Sequence, residues 1–217
     1  ETLTGQVTLE QIKADLLALL RYLAITHKAN FLPAYSGFMK PWGDQWQSAF
    51  SAAIAGESAW MAWDLLDENL KLLCARMVIH EANRFNTRPP DSGVLKNTRS
   101  EDNAWNSEVL ALAGCMFPDH PNSSIWRERA IIYMINAYAR EADRQETRTI
   151  DGRPVKDWIP AVNIPPDYTL ENHGRVHPDY MMSTWTVFRN AHLYRAAGLP
   201  IPESLSYNSR HVYQVLK

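Results

Sequence analysis

The chain has 217 residues, a length that suits one domain with a large core. A hydrophobic fraction of 46% with 21% charged residues excludes wholesale disorder, and a net charge of −2 without a long Lys/Arg run excludes the electrostatic footprint of a nucleic-acid binder. The most apolar stretches are broken by charges within about a dozen residues, short of the roughly 20 that span a bilayer, so no membrane partner is expected.

The opening Glu1-Thr2-Leu3-Thr4-Gly5 is polar and shows no signal peptide, which fits a cytoplasmic chain or a secreted or periplasmic one whose leader has been removed. Thr8-Leu9-Glu10-Gln11 reads as a capping box. The helix it opens carries Ile12, Leu16, Leu19, Leu20 and Leu23 on one face and runs to about His27. After a loop with Pro33, Gly37, Pro41 and Gly43, a second helix starts near Asp44 and continues through Phe50, Ile54, Trp60 and Trp63. Asp67 caps a third, through Leu70, Leu73, Met77 and Ile79 to about Phe85. Arg88-Pro89-Pro90-Asp91-Ser92-Gly93 breaks the chain.

A fourth helix is expected from about Ser100 to Met116, ended by Pro118 and Pro121, and a fifth from Asn122 or Ser123 to about Arg144. The stretch from Arg148 to His177 is irregular and rich in Pro and Gly. Pro178 opens a sixth helix that reaches Ala197 and stops at Gly198. A seventh, Glu203 to Lys217, has no stop signal, so the chain is expected to be part of a longer polypeptide, with a further C-terminal part or a partner chain completing the fold. Cys74 and Cys115 fall in apolar helical patterns and read as buried thiols.

Nothing alternates at period two for long enough to make a strand. The expectation is therefore an all-α chain whose helical hairpins form an incomplete (α/α)n toroid, a single domain over residues 1–217. An extended α-solenoid is the other arrangement of paired helices.

The second, fourth and sixth helices follow polar, aromatic loops. In a toroid alternate helices run the same way, so these loops would meet at one mouth. The first contributes Trp42, Asp44, Gln45 and Trp46; the second Glu101, Asp102, Asn103, Trp105 and Asn106; the third Glu171, Asn172, His173, Arg175, His177, Asp179 and Tyr180. Rings stack on apolar pyranose faces, amides bond hydroxyls, and helix N-termini favour carboxylates, so a polysaccharide or oligosaccharide is the expected substrate. Each residue type also has a structural use. Asp44, Ser100 and Asp102 suit N-caps, and Trp42, Trp46 and Trp105 suit a core. Trp60, Trp63 and Trp126 sit at core spacing, His80 and Glu81 read as surface or hairpin contacts, and the charges of 140–148 as a solvated helix end. The third loop is too dense in titratable groups for a plain turn. Its His173, His177 and Asp179 are metal-ligand types without a zinc spacing, so no metal and no cofactor are expected.

Asn172-His173-Gly174, placed before an inner helix, resembles the Asn-His-Gly or Asn-His-Ser segment of α/α-toroid polysaccharide lyases, the alginate lyases and heparinase II/III-like group. The resemblance implies β-elimination on a uronic-acid polymer. Asn172, helped by Arg175, would neutralise the uronate carboxylate; His173 would take the C5 proton; a Tyr, here Tyr180, would act as acid. Two departures stand out: those families often have a second Asn where this chain has Glu171, and their Tyr comes from a later inner helix. Two other readings remain open. A glycoside hydrolase on the same toroid would use a carboxylate pair among Asp44, Glu101, Asp102, Glu171 and Asp179. A helical-repeat binding module would need no catalytic group.

Overall fold

The computed structural model describes residues 7–33, 37, 39–182 and 184–217, the side chain of residue 184 excepted. The polar opening pentapeptide lies outside the described residues. The chain is mostly helical, 59% of it, which makes it all-α. It divides into two compact units, residues 1–81 and 82–217.

In the first unit, α1 (Leu9–Thr26) is capped as expected at Thr8, whose hydroxyl accepts from Gln11 N at 3.2 Å. Only half of the box forms, because the Gln11 amide donates to Asp15 instead, at 2.7 Å. α2 (Ser48–Met61) starts four residues later than its pattern suggests. Gly43 (φ 124°) and Asp44 (φ 60°) hold the loop in left-handed conformations that a helix cannot use. The core face of α2 is made of small residues, Ala49, Ala52, Ala53, Ala55, Gly56 and Ala59, which let its neighbours approach closely. A 3₁₀ turn, Trp63–Leu65, follows. Asp67 caps α3 (Glu68–Asn83) through its carboxylate, which accepts from Leu70 N at 2.7 Å.

The second unit is built around α4 (Ser100–Met116), which packs on both α5 (Ser123–Ala137) and α7 (Thr184–Ala196). Every α4 residue is buried except Trp105 and Met116, which are half-exposed. The α4–α5 approach depends on Gly114, where a Cβ would stand 2.6 Å from Arg127 Cγ. Ser123 and Arg127 both donate to the Gly114 carbonyl.

The helix expected to reach Arg144 stops at Ala137 and gives way to a 3₁₀ turn, Glu141–Gln145. Asp143 is responsible: its buried carboxylate accepts from Arg140 N, the Arg140 guanidinium and Asn208 Nδ2, which curls the chain inward. The irregular stretch holds two short hairpins, β1 (Thr149–Ile150) with β2 (Arg153–Pro154), and β3 (Glu171–Asn172) with β4 (Arg175–Val176). Both turn on two residues of positive φ, Asp151-Gly152 and His173-Gly174, as type I′ turns require. Ile150, Val155, Trp158 and Ile159 pack against Ile135 and Tyr207, anchoring the first hairpin to α5.

The sixth expected helix is divided into α6 (Pro178–Met181) and α7. The seventh is a 3₁₀ turn, Glu203–Ser206, followed by α8 (Ser209–Leu216). Cys74 and Cys115 are buried free thiols, with burial pushing them up to about 11 and about 12. No helix among the described residues is long and apolar enough to cross a membrane.

Candidate functional site

The second unit holds the denser cluster of expected site residues. The chain leading into α4 is laid against the β3–β4 hairpin by four hydrogen bonds. Thr98 N donates to the Glu171 carbonyl at 2.9 Å and Lys96 N to the Glu171 carboxylate at 2.8 Å. Gly174 N donates to the Lys96 carbonyl at 2.8 Å and His173 N to Asn97 Oδ1 at 2.9 Å. Glu171 is thereby a positioning residue, its carboxylate spent on a backbone amide.

This docking brings Asn172 onto the first turn of α4. Asn172 is buried, and its Nδ2 donates to Glu101 Oε1 at 2.7 Å. Its own Oδ1 accepts from His173 N at 2.8 Å, which holds the amide orientation. Glu101 Oε2 is buried and has no hydrogen-bond partner. Burial pushes the Glu101 carboxyl up to about 7, against the pull of its own backbone N–H and of Asn172. Asp102, beside it, is also raised by burial, with Arg99 at 3.5 Å opposing the shift.

At the hairpin tip, His173 sits at φ 53° and extends to α6, its Nε2 3.2 Å from Tyr180 Oη. His177, the residue before α6, meets the Tyr180 ring edge-on at 4.9 Å. Burial, then the charges of Glu101 and Asp179, hold the Tyr180 hydroxyl above its usual value, so it is a phenol and a proton donor at neutral pH. Glu101, Trp105, Asp179, Tyr180, Met182, Trp185 and Thr186 line an open cleft of about 380 Å³. Trp105 is the α4 residue that turns out of the core into it, and Trp185 on α7 is 67% exposed.

Of the expected site residues, Glu101, Trp105, Asp179 and Tyr180 line one cleft, and Asn172 and His173 are bonded to two of these, Glu101 and Tyr180, with Arg175 exposed on β4. It does not bring Asn103 or Asn106 there. Both are buried, and Asn103 is bound to the Asp91 backbone through its amide. Trp185 and Met182 belong to the cleft but escaped sequence reasoning. A Trp one turn past Met181, in the helical pattern that follows the third loop, was the available signal.

Trp42, Asp44, Gln45 and Trp46 lie in the first unit. Trp42 is half-buried, donates Nε1 to the Leu23 carbonyl at 3.0 Å and packs edge-on against His27. Trp46 is 62% exposed. Asp44 accepts from Lys28 and pairs with His80 at 2.8 Å, and these contacts, that of Lys28 first, hold its carboxyl down at about 2. Glu81, expected near the surface, is fully buried. It takes His27 Nε2 at 3.1 Å, Asp44 N at 3.0 Å and Ser48 Oγ at 2.8 Å. Possible ligand atoms of Asp44, His80 and Glu81 lie within 4.8 Å of one another, the grouping best suited to a cation among the described residues. Lys28 already balances Asp44 and three donors already satisfy Glu81, so the network reads as a staple for the loop before α2.

No family model, curated protein or solved structure matches the chain.

Proposed function

We propose that the second unit carries a carbohydrate-cleaving site that acts by β-elimination on a uronate-containing polysaccharide, set in an incomplete α/α toroid. The observation that carries this reading is the His173–Tyr180 contact at 3.2 Å, beside a cleft walled by Trp105 and Trp185. His173 accepts the C5 proton at Nε2. The electron pair left behind forms the C4–C5 double bond, the C4–O bond breaks, and the departing oxygen takes the Tyr180 hydroxyl proton. The upward displacement of Tyr180 suits an acid rather than a base. The tryptophans supply stacking faces for the sugar rings. Asn172, its amide already on Glu101, acts by orienting that carboxyl. The toroid is supported by the pairing of successive helices, α4 with α5 above all.

A second reading, glycoside hydrolysis, is favoured by Glu101 alone. A buried carboxyl raised to about 7 with one unpartnered oxygen is the state a general acid needs, and Asp179 lines the same cleft.

One experiment separates them. Uronate polymers, free and methyl-esterified, are incubated with the protein while absorbance near 235 nm, from the unsaturated product, and reducing ends are followed together. His173→Asn is the informative variant, because Asn followed by Gly keeps the type I′ turn and removes the base. A 235 nm signal that this variant abolishes supports elimination. Reducing ends without that signal, surviving His173→Asn and lost in Glu101→Gln, refute elimination and leave hydrolysis.

A further inference from the structure

The charge of the cleft carries a statement about its substrate, resting on the carbohydrate reading above. Among the described residues that line it are two acids, Glu101 and Asp179, and no Lys, Arg or His. The nearby cations are engaged or stand off. Arg99 lies against Asp102 at 3.5 Å, Arg189 on α7 lies 3.4 Å from buried Glu108 of α4, and Arg175 is exposed on the hairpin outside the lining. His173 and His177 contact Tyr180 from the hairpin side without lining the cleft. The amide of Asn172, the donor that would meet a substrate carboxylate, is on Glu101 at 2.7 Å. The remaining walls are Trp105, Tyr180, Met182, Trp185 and Thr186, which offer aromatic faces and hydroxyls.

We infer that the cleft selects an uncharged sugar ring, a carboxyl-esterified uronate or a neutral hexose, and rejects the free uronate. A carboxylate in the cleft would meet the like charges of Glu101 and Asp179 with no lining Lys, Arg or His among the described residues to offset them, and the hydroxyls of Tyr180 and Thr186 are neutral donors only. An ester removes that conflict. It also acidifies the neighbouring C–H without any need to neutralise a carboxylate, so elimination by His173 stays feasible with Asn172 engaged elsewhere. Because burial holds Glu101 near 7, the rejection strengthens as pH rises through that value.

Two measurements on the whole chain test this. The first uses a matched pair, an oligogalacturonate and its methyl ester of equal length, beside a neutral gluco-oligosaccharide, with affinities from calorimetry at pH 8. The ester is expected to bind at least about ten-fold tighter than the acid at low salt, the gap narrowing in 0.5 M NaCl as screening sets in. The second reads the cleft's field without a sugar, through quenching of the fluorescence lost in Trp185→Phe. Normalised to the quenching of a free indole, caesium should quench that component better than iodide, and Asp179→Asn should shrink the difference. Tighter binding of the acid, or iodide outperforming caesium, overturns the selection while leaving a carbohydrate site in place. Caesium preference with no affinity for any of the three sugars overturns the carbohydrate reading, and the ring selection with it. A 235 nm product from the ester identifies the esterified uronate as substrate, and reducing ends from the glucan identify the neutral sugar.

Discussion

Replacing Glu101 by Gln should stabilise the protein above neutral pH and leave it nearly unchanged in acid. Glu101 is 6% exposed, and burial moves its carboxyl from 4.5 to about 7. Between those values the folded protein holds a proton that the unfolded chain has released, so stability falls as pH rises through the window. Each pH unit is worth about 1.4 kcal/mol. The full window therefore costs the wild type about 3 kcal/mol by pH 8, and the uncharged Gln, still able to accept from Asn172, does not pay it. For a chain of this size that corresponds to a Tm difference of roughly 6–12 °C. Urea unfolding of both proteins from pH 4 to 9 measures it, the two curves converging near pH 4.5 and diverging toward pH 8. A separation that stays constant with pH, or a wild type more stable than the variant at pH 8, would refute the assignment of a buried, raised carboxyl to this position.

Three further outcomes follow from the same contacts. Asn172→Ala removes the donor that stabilises the Glu101 carboxylate, so the Glu101 titration, read by carbon-detected NMR of its carboxyl, should move upward, and stability at pH 8 should fall by about 1.5–3 kcal/mol. Gly43→Ala places a Cβ 2.9 Å from His27 Nε2 at a φ of 124°, and should destabilise the first unit by at least about 1 kcal/mol in urea unfolding, with the cleft of the second unit unaffected. Glu81→Ala strands His27, Ser48 and the Asp44 amide together and should cost about 3–5 kcal/mol. Glu81→Gln, which keeps most of the acceptors, should cost clearly less in the same assay.

What could be read from the sequence divides by the range of the interaction. α4 begins at Ser100 and ends at Met116 as its pattern says, because its apolar residues recur without interruption and Pro118 follows two residues later. α5 ends early because of Asp143, whose partner Asn208 lies 65 residues away, and no local signal announces that bond. The hairpin at Asp151-Gly152 was locally legible, since Asp-Gly is a strong type I′ signal, but its two-residue strands leave no alternation to find. Glu81 looked like a surface charge after an apolar run. Its burial depends on His27, 54 positions upstream, and on the backbone of a loop held by Gly43.

The site follows the same rule. The third loop could be singled out from its composition, whereas the approach of Tyr180 to His173 needed the tight turn and the helix start between them, which bring i and i+7 together. The Asn172–Glu101 bond joins residues 71 apart and changes what both can do. It takes from Asn172 the free amide that the family resemblance would use on a carboxylate, and it gives Glu101 one fixed oxygen and one oxygen without a partner. The consequence is a division of labour between two elements docked on one another. The hairpin presents His173 from a turn whose φ is fixed by backbone pairing, and α4 presents Glu101 from a helix whose burial sets its proton affinity. On the elimination reading proposed above, changes to the hairpin tip should alter proton abstraction with little effect on folding, whereas changes at Glu101 should register in both. A site in which the two effects could not be separated would mean that the hairpin and α4 fold as one unit, and that His173 is held by the packing around Tyr180 rather than by its own turn.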